Sequence, residues 1–337
     1  MGHLRTPLCE RLGIELPIVQ APIGSASCPE LAAAVANAGG LGMLAITWVE
    51  PSGVTEALGQ ARALTDKAIG VNLCLAFPVA SQLTASLDAG VKIVSTFWGD
   101  PAPVSAEIHG AGALHLHTVS TPDEACQAVE AGVDVVVAQG WEAGGHVWGE
   151  MATLPLVPAV VDAVDPVPVV AAGGIADGRG LAAVLALGAQ AAWLGTRFLT
   201  AREARTHHVY RQRVIDSDGS DTEHTGCFDG GWPDAVHRVL HNSTVQRWEE
   251  GGRVATPDRP GEGDVVARDS RGREHLRYSD LMPLPDHTGE LEAMALYAGQ
   301  SAGLVHDVVS AGDLVARIAA EATAVLTRLG DPSSGRR

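Results

Sequence analysis

Along roughly the first two hundred residues, short apolar runs alternate with alanine-rich amphipathic stretches, with glycines at many of the joins. The runs at 16–23, 41–46, 68–75, 91–98, 113–119, 133–138, 167–172 and 191–198 read as strands. Between them, 29–38, 51–67, 79–89, 103–109, 122–131, 154–164 and 178–187 carry helical patterns. The runs are almost unbroken Val, Ile, Ala and Leu, as a parallel sheet buried on both faces requires. Proline or aspartate opens several of the helices, and Gly39, Gly90, Gly132 and Gly188 close four of them. Eight strand–helix units predict an α/β protein built as a (β/α)₈ barrel. No GxGxxG follows the first run, which speaks against a doubly wound dinucleotide fold.

Beyond Arg202 the pattern weakens. The division expected is a barrel over 1–214, an irregular insertion over 215–285 with one helix at 234–250, and a C-terminal part over 286–330. That last part carries helical patterns at 289–305 and 312–329, expected to complete the barrel and cover the site; 331–337 reads as a disordered tail.

Composition narrows the possible partners. A net charge of -17 on 337 residues argues against nucleic acid and anionic membrane. No apolar stretch is long enough to span a bilayer, and the N-terminus lacks a signal-peptide core. Met1-Gly2 with Thr6 fits a myristoylation pattern too short to carry an assignment. Five cysteines without CxxC spacing suit reduced thiols, so a soluble, cytoplasmic protein is expected, and a homodimer is the assembly considered.

In a parallel barrel, ligands sit at the carboxyl ends of the strands. Gln20-Ala21-Pro22-Ile23-Gly24 ends the first strand, and Asn72 places an amide among apolar neighbours in the third. A buried amide needs a partner, which a ligand or the backbone supplies equally well. The sixth run leads into Gln139-Gly140-Trp141-Glu142-Ala143-Gly144-Gly145-His146, a flexible turn bearing a proton-transfer group. Gly173-Gly174 after the seventh run and Gly195-Thr196 within the eighth suit the phosphate site usual for those two loops. His115 and His117 alternate on one side of the fifth run. Core packing is the plainer reading of that pair, and ligand contact by His117 the other. The remaining histidines show no metal-ligand spacing, and no nucleophile motif is present.

Together these stretches resemble the nitronate monooxygenase family. The matching pieces are 20–24, 70–73, 138–146, 170–180, 194–198 and 297–300, in the family's order. The resemblance implies a barrel that binds FMN without a metal. It places Ala21, Pro22, Ile23, Gly24, Asn72, Gln139, Gly144 and Gly145 around the flavin. Gly173, Gly174, Trp193, Leu194, Gly195 and Thr196 would hold its phosphate. His146 would take the α-proton of a neutral nitroalkane, and Trp148, Tyr297 and Gln300 would border the substrate. The reaction implied is oxidation of a nitro compound or nitronate by O₂ to a carbonyl compound and nitrite. Three departures touch the pocket: Ile23 replaces the family's methionine, Trp193-Leu194 its Gln-Met pair, and Trp148 with Gly149 alters the spacing after the histidine.

Two other functions compete. An FMN-dependent NAD(P)H reductase acting on an enoyl thioester or a quinone would share the Gly-Gly-His turn. A flavin-free phosphate-binding barrel would explain the glycine loops but leave Asn72, Gln139 and His146 without a task.

Overall fold

The computed structural model describes residues 4–330. Eight parallel strands form the barrel: β1 (Ile18–Gln20), β2 (Gly42–Ala45), β3 (Ile69–Cys74), β4 (Ile93–Phe97), β5 (Leu114–Val119), β6 (Val135–Gln139), β7 (Val169–Ala172) and β8 (Ala191–Leu194). Neighbours pair in sequence order from β2 to β8, β8 pairs with β1, and a parallel bridge from Val19 to Leu41 joins β1 to β2.

Alternate residues of one strand serve two cores, which is why the runs read as continuously apolar. Val135 and Val137 point into the barrel with Met43, Ile93, Leu116 and Val170, while Val136 and Ala138 face the helices. Each fully buried aliphatic side chain contributes about 2 kcal/mol. The helix Pro7–Leu12 sends Leu8, Cys9 and Leu12 into the same inner core.

The helix ends follow their caps. Thr121 accepts from the amide of Glu124 at 3.1 Å, and Asp177 from those of Arg179 and Gly180 at 2.9 and 3.2 Å. The C-terminal helix Ala311–Gly330 packs against Gly178–Ala186. The two approach so closely that a Cβ on Gly178 would lie 2.3 Å from the nitrogen of Ala322.

Three elements differ from expectation. The eighth run is strand only to Leu194, and Thr196–Leu199 turns into a short helix. An apolar run alone does not separate the two. The helix expected at 234–250 is a strand, His237–Leu240, followed by a helix, Ser243–Glu250, whose start is set by Asn242 accepting from Thr244 and Val245. That strand pairs on one side with Thr222–Thr225 and on the other with Gly145–His146. The helix expected at 289–305 is two 3₁₀ turns, Leu291–Ala293 and Gln300–Leu304, around an extended piece. Tertiary pairing overrides the helical pattern there: Leu240 donates to the carbonyl of Leu296, and Val239 is bridged to Tyr297. The insertion also holds a small sheet of Val265–Arg268, Glu274–Leu276 and Thr288–Gly289. The tail at 331–337 and the first three residues lie outside the described residues. Among the described residues the cysteines are free, and no helix is long and apolar enough to cross a membrane.

Candidate active site

A cavity of about 460 Å³ opens at the carboxyl ends of the strands. Ala21, Pro22, Ile23 and Gly24 from the β1 loop, Asn72 from β3, and Gln139 with Gly144, Gly145 and His146 from the β6 loop line it. Gly173 and Gly174 after β7, Trp193 on β8, and Gly195 and Thr196 just beyond complete the wall, with Tyr297 above. The glycine loops and the imidazole therefore share one space.

Backbone conformation explains the glycines where it is most demanding. Gly173 and Gly174 have φ of +102° and +71°, in the left-handed region that side chains resist. Gly144 has no room for a Cβ, which would lie 2.4 Å from the nitrogen of Gly299. That contact belongs to a clamp. Gly299 donates to Thr196 Oγ1 at 2.9 Å and Gln300 to the carbonyl of Glu142 at 3.0 Å, tying the C-terminal segment to the β6 and β8 loops. The hydroxyl of Tyr297 donates to the carbonyl of Asp280 at 2.8 Å, and that of Tyr210 to the carbonyl of Tyr297.

His146 is held among rings. Its imidazole lies 4.3 Å from Trp232, 5.6 Å from Tyr297 and from His237, and 6.0 Å from Trp98, centroid to centroid. Burial and then the neighbouring His237 push its pKa down to about 3, partly countered by the carbonyls of Val236 and Ala235. The ring is neutral at physiological pH, as a proton acceptor must be. Its buried Nδ1 has no hydrogen-bond partner, and neither has the buried Oε1 of Gln139, whose amide donates to the carbonyl of His146 at 3.3 Å. Two orphaned polar atoms in one cavity call for a polar ligand. Asn72 answers both of its readings: it lines the cavity, and its amide donates to Ser95 Oγ at 3.1 Å.

Three expected residues lie elsewhere. The side chain of Leu194 faces outward into the helix-side core, because it alternates with Trp193 along β8. Trp148 borders a neighbouring hollow, its indole nitrogen held 3.0 Å from Glu124 Oε1. Gln300 is exposed, and its backbone makes the contact. Sequence reasoning missed Trp48, Phe77, Phe97 and Trp232, which form an aromatic wall around the mouth with Trp98. Phe97 ends β4, Trp98 follows it, and both were within reach of the strand-end rule; Trp232 sits in a loop with no motif. The carboxyl of Asp280 also borders the cavity, its pKa raised by burial and by Asp229.

FMN fits this lining. No lysine or arginine borders the cavity, so a phosphate would be held by backbone amides of the glycine loops, and the Gln139 and His146 atoms await polar partners. The family to which the chain belongs gives the class, a flavin-dependent oxidoreductase. The chain belongs to the nitronate monooxygenase family, whose family model matches residues 5–83 and 74–321. It is 32% identical to a Mycobacterium tuberculosis protein named (3aS,4S,5R,7aS)-5-hydroxy-7a-methyl-1-oxo-octahydro-1H-indene-4-carboxyl-CoA dehydrogenase, over 95% of this chain and 96% of that one. Among solved structures, FabK from Thermotoga maritima aligns with a TM-score of 0.80 at 30% identity, covering 97% of this chain and 99% of that one. A nitroalkane oxidase from Streptomyces ansochromogenes aligns at 0.79 and 33%, covering 96% and 100%.

Proposed function

We propose that the protein oxidises alkyl nitronates and nitroalkanes with FMN and O₂, yielding a carbonyl compound and nitrite. The observation that carries this reading is the neutral, buried His146, with an unpartnered Nδ1, in the same cavity as the two glycine loops. FMN, when bound, would accept electrons from the substrate and pass them to O₂. The loops at Gly173–Gly174 and Gly195–Thr196 would hold its phosphate, and Asn72 and Gln139 would meet its ring. His146 would take the α-proton of a neutral nitroalkane. The imidazolium formed then faces a nitronate anion, an attraction that offsets the low proton affinity of a buried ring. A substrate already present as the nitronate needs no base. The aromatic wall and the clamp at Tyr297 would keep water from the reacting carbon.

Two observations favour a second reading, flavin-dependent oxidation or reduction of an acyl thioester. The mouth adjoins a further hollow of about 510 Å³, more room than a short nitroalkane fills, and a CoA dehydrogenase is among the relatives. Anaerobic flavin bleaching by nitronates, nitroalkanes, acyl-CoA thioesters, NADH and NADPH separates these functions. Bleaching by nitronates and not by nicotinamides is expected. Rapid bleaching by NADH or NADPH overturns the proposal in favour of a reductase. A protein that takes up no FMN overturns both readings.

A further inference from the structure

The hollow beside the cavity is bordered by Trp98, Asp100, His117, Glu124, Gln127 and Trp148, and shares Thr118 with the cavity of His146. Trp98 stands between the two spaces. Its ring lies 4.9 Å from those of Trp148 and Trp232, and its backbone is in the left-handed region at φ +58°.

His117 is 5% exposed and borders this hollow. It ends a buried chain. Ser105 Oγ lies 3.1 Å from the carbonyl of Pro101 and 2.9 Å from His115 Nδ1. Thr96 Oγ1 lies 2.7 Å from His115 Nε2, 2.7 Å from His117 Nδ1 and 3.4 Å from the carbonyl of Leu116. Burial pushes both imidazoles down, to about 3 and about 4, so each carries one proton.

Counting those protons favours a hydrogen-free outer nitrogen. In one arrangement Ser105 donates to Pro101, His115 Nδ1 to Ser105, Thr96 to His115 Nε2, and His117 Nδ1 to Thr96. In another, Ser105 donates to His115, both imidazoles donate to Thr96, and Thr96 donates to Leu116. Each makes four hydrogen bonds, and each leaves His117 Nε2 without a hydrogen. With the hydrogen on Nε2 only three donors remain within the chain, so every such arrangement makes at most three. Among the described residues, Nε2 of His117 has no hydrogen-bond partner.

The rest of the border narrows what Nε2 can accept from. Glu124 is committed, accepting from the amide and hydroxyl of Ser120 at 2.6 and 2.9 Å and from Trp148. Its carboxylate and that of Asp100, with no lysine or arginine on the border, disfavour an anion. The two indoles supply flat apolar surface.

We propose that this hollow is a recognition subsite for a hydroxyl group on an apolar ring system, the hydroxyl donating to His117 Nε2. The part of the substrate remote from the reacting carbon would lie here. The inference takes the cavity of His146 as the reaction site, whichever carbon acid reacts there.

The test uses FMN-loaded full-length protein and a matched pair of probes, trans-2-decalol and 2-decalone, with decalin-2-carboxylate as the anion. Calorimetry is expected to show the alcohol binding about three- to tenfold more tightly than the ketone, one neutral hydrogen bond's worth. The carboxylate is expected to bind most weakly. In ¹⁵N-histidine spectra His117 Nε2 should report an unprotonated nitrogen that shifts with the alcohol and not with the ketone. His117→Phe should abolish the discrimination while retaining ketone binding. Should that variant fold poorly, the wild-type spectra and the alcohol–ketone ratio still decide. Equal affinities, a hydrogen on Nε2 in the free protein, or discrimination surviving in His117→Phe overturns the subsite. If nitronates fail to bleach the flavin while the alcohol preference holds, the reaction assignment falls and the subsite stands.

Discussion

The two sides of the barrel mouth are made of different material. Over β7 and β8, Trp193 apart, the wall is largely backbone: Gly173, Gly174 and Gly195, with Thr196 tied to the C-terminal clamp. Over β4 to β6 it is side chain, with Trp98 and His146 packed against Trp232 from the insertion and Trp148 backing Trp98. A backbone wall suits one invariant anionic group, because amides point wherever the turn directs them. A side-chain wall can be changed residue by residue. The first side therefore suits a cofactor, and the second would set which substrate reaches it.

Replacing His146, the proposed proton acceptor, should give the largest effect on the side-chain wall. His146→Asn is expected to lower kcat/KM for neutral nitroalkanes by about 10²- to 10⁴-fold, the usual contribution of a general base. Preformed nitronates should stay within a few-fold. Steady-state assays on both forms of one compound check this, and equal losses would remove the base from the mechanism.

The same division explains what could be read from the chain. The barrel was legible because each strand is buried on both faces, and the glycine loops because a left-handed turn leaves a residue-type signature. The aromatic wall was less so. Trp232 belongs to a loop, and it meets Trp48, Phe77, Phe97 and His146 only after chain segments far apart are brought together. Its role has no spacing to announce it. The paired strands around His237 were hidden for the same reason, since β pairing partners are set by tertiary contact.

On the backbone side, Gly174→Ala is the sharper probe. The left-handed φ of +71° costs a side chain roughly 1–2 kcal/mol, and the new Cβ would lie 3.0 Å from Glu142 Cγ. About a tenfold weaker FMN affinity is expected, measured by flavin fluorescence, with substrate selectivity unchanged. Altered selectivity at full FMN affinity would mean that the two walls are not separate in function.

Acid exposes the buried histidines of β5 and of the side-chain wall. His115, His117, His146 and His237 have folded pKa values near 3 to 4, below the unfolded value of about 6.5, so the unfolded chain binds more protons between those limits. Stability from keeping them neutral is fully present above pH 6.5 and is lost as pH falls toward 4. Urea midpoints should decline through that window. The kcat/KM for nitroalkanes should show no acidic limb near 6.5, since His146 stays neutral there while the fold persists. A limb at 6.5 would mean that the loaded site is wetter than the rings around His146 imply.

The smallest effect belongs to a residue that the family resemblance placed in the pocket. Gln300 turns its side chain to solvent and serves through its amide, which donates to the carbonyl of Glu142. Gln300→Ala keeps that amide, so FMN affinity and KM should both stay within about twofold, the range of an exposed substitution away from packed contacts. Tyr297 is the contrast three residues earlier. Its ring borders the cavity and its hydroxyl holds the carbonyl of Asp280, so Tyr297→Phe removes a clamp contact and should raise KM several-fold while sparing FMN. Comparing the two by steady-state kinetics asks whether the C-terminal segment acts as backbone or as side chain. A larger loss from Gln300→Ala than from Tyr297→Phe would mean that this segment turns over when the site is loaded, carrying the amide side chain inward.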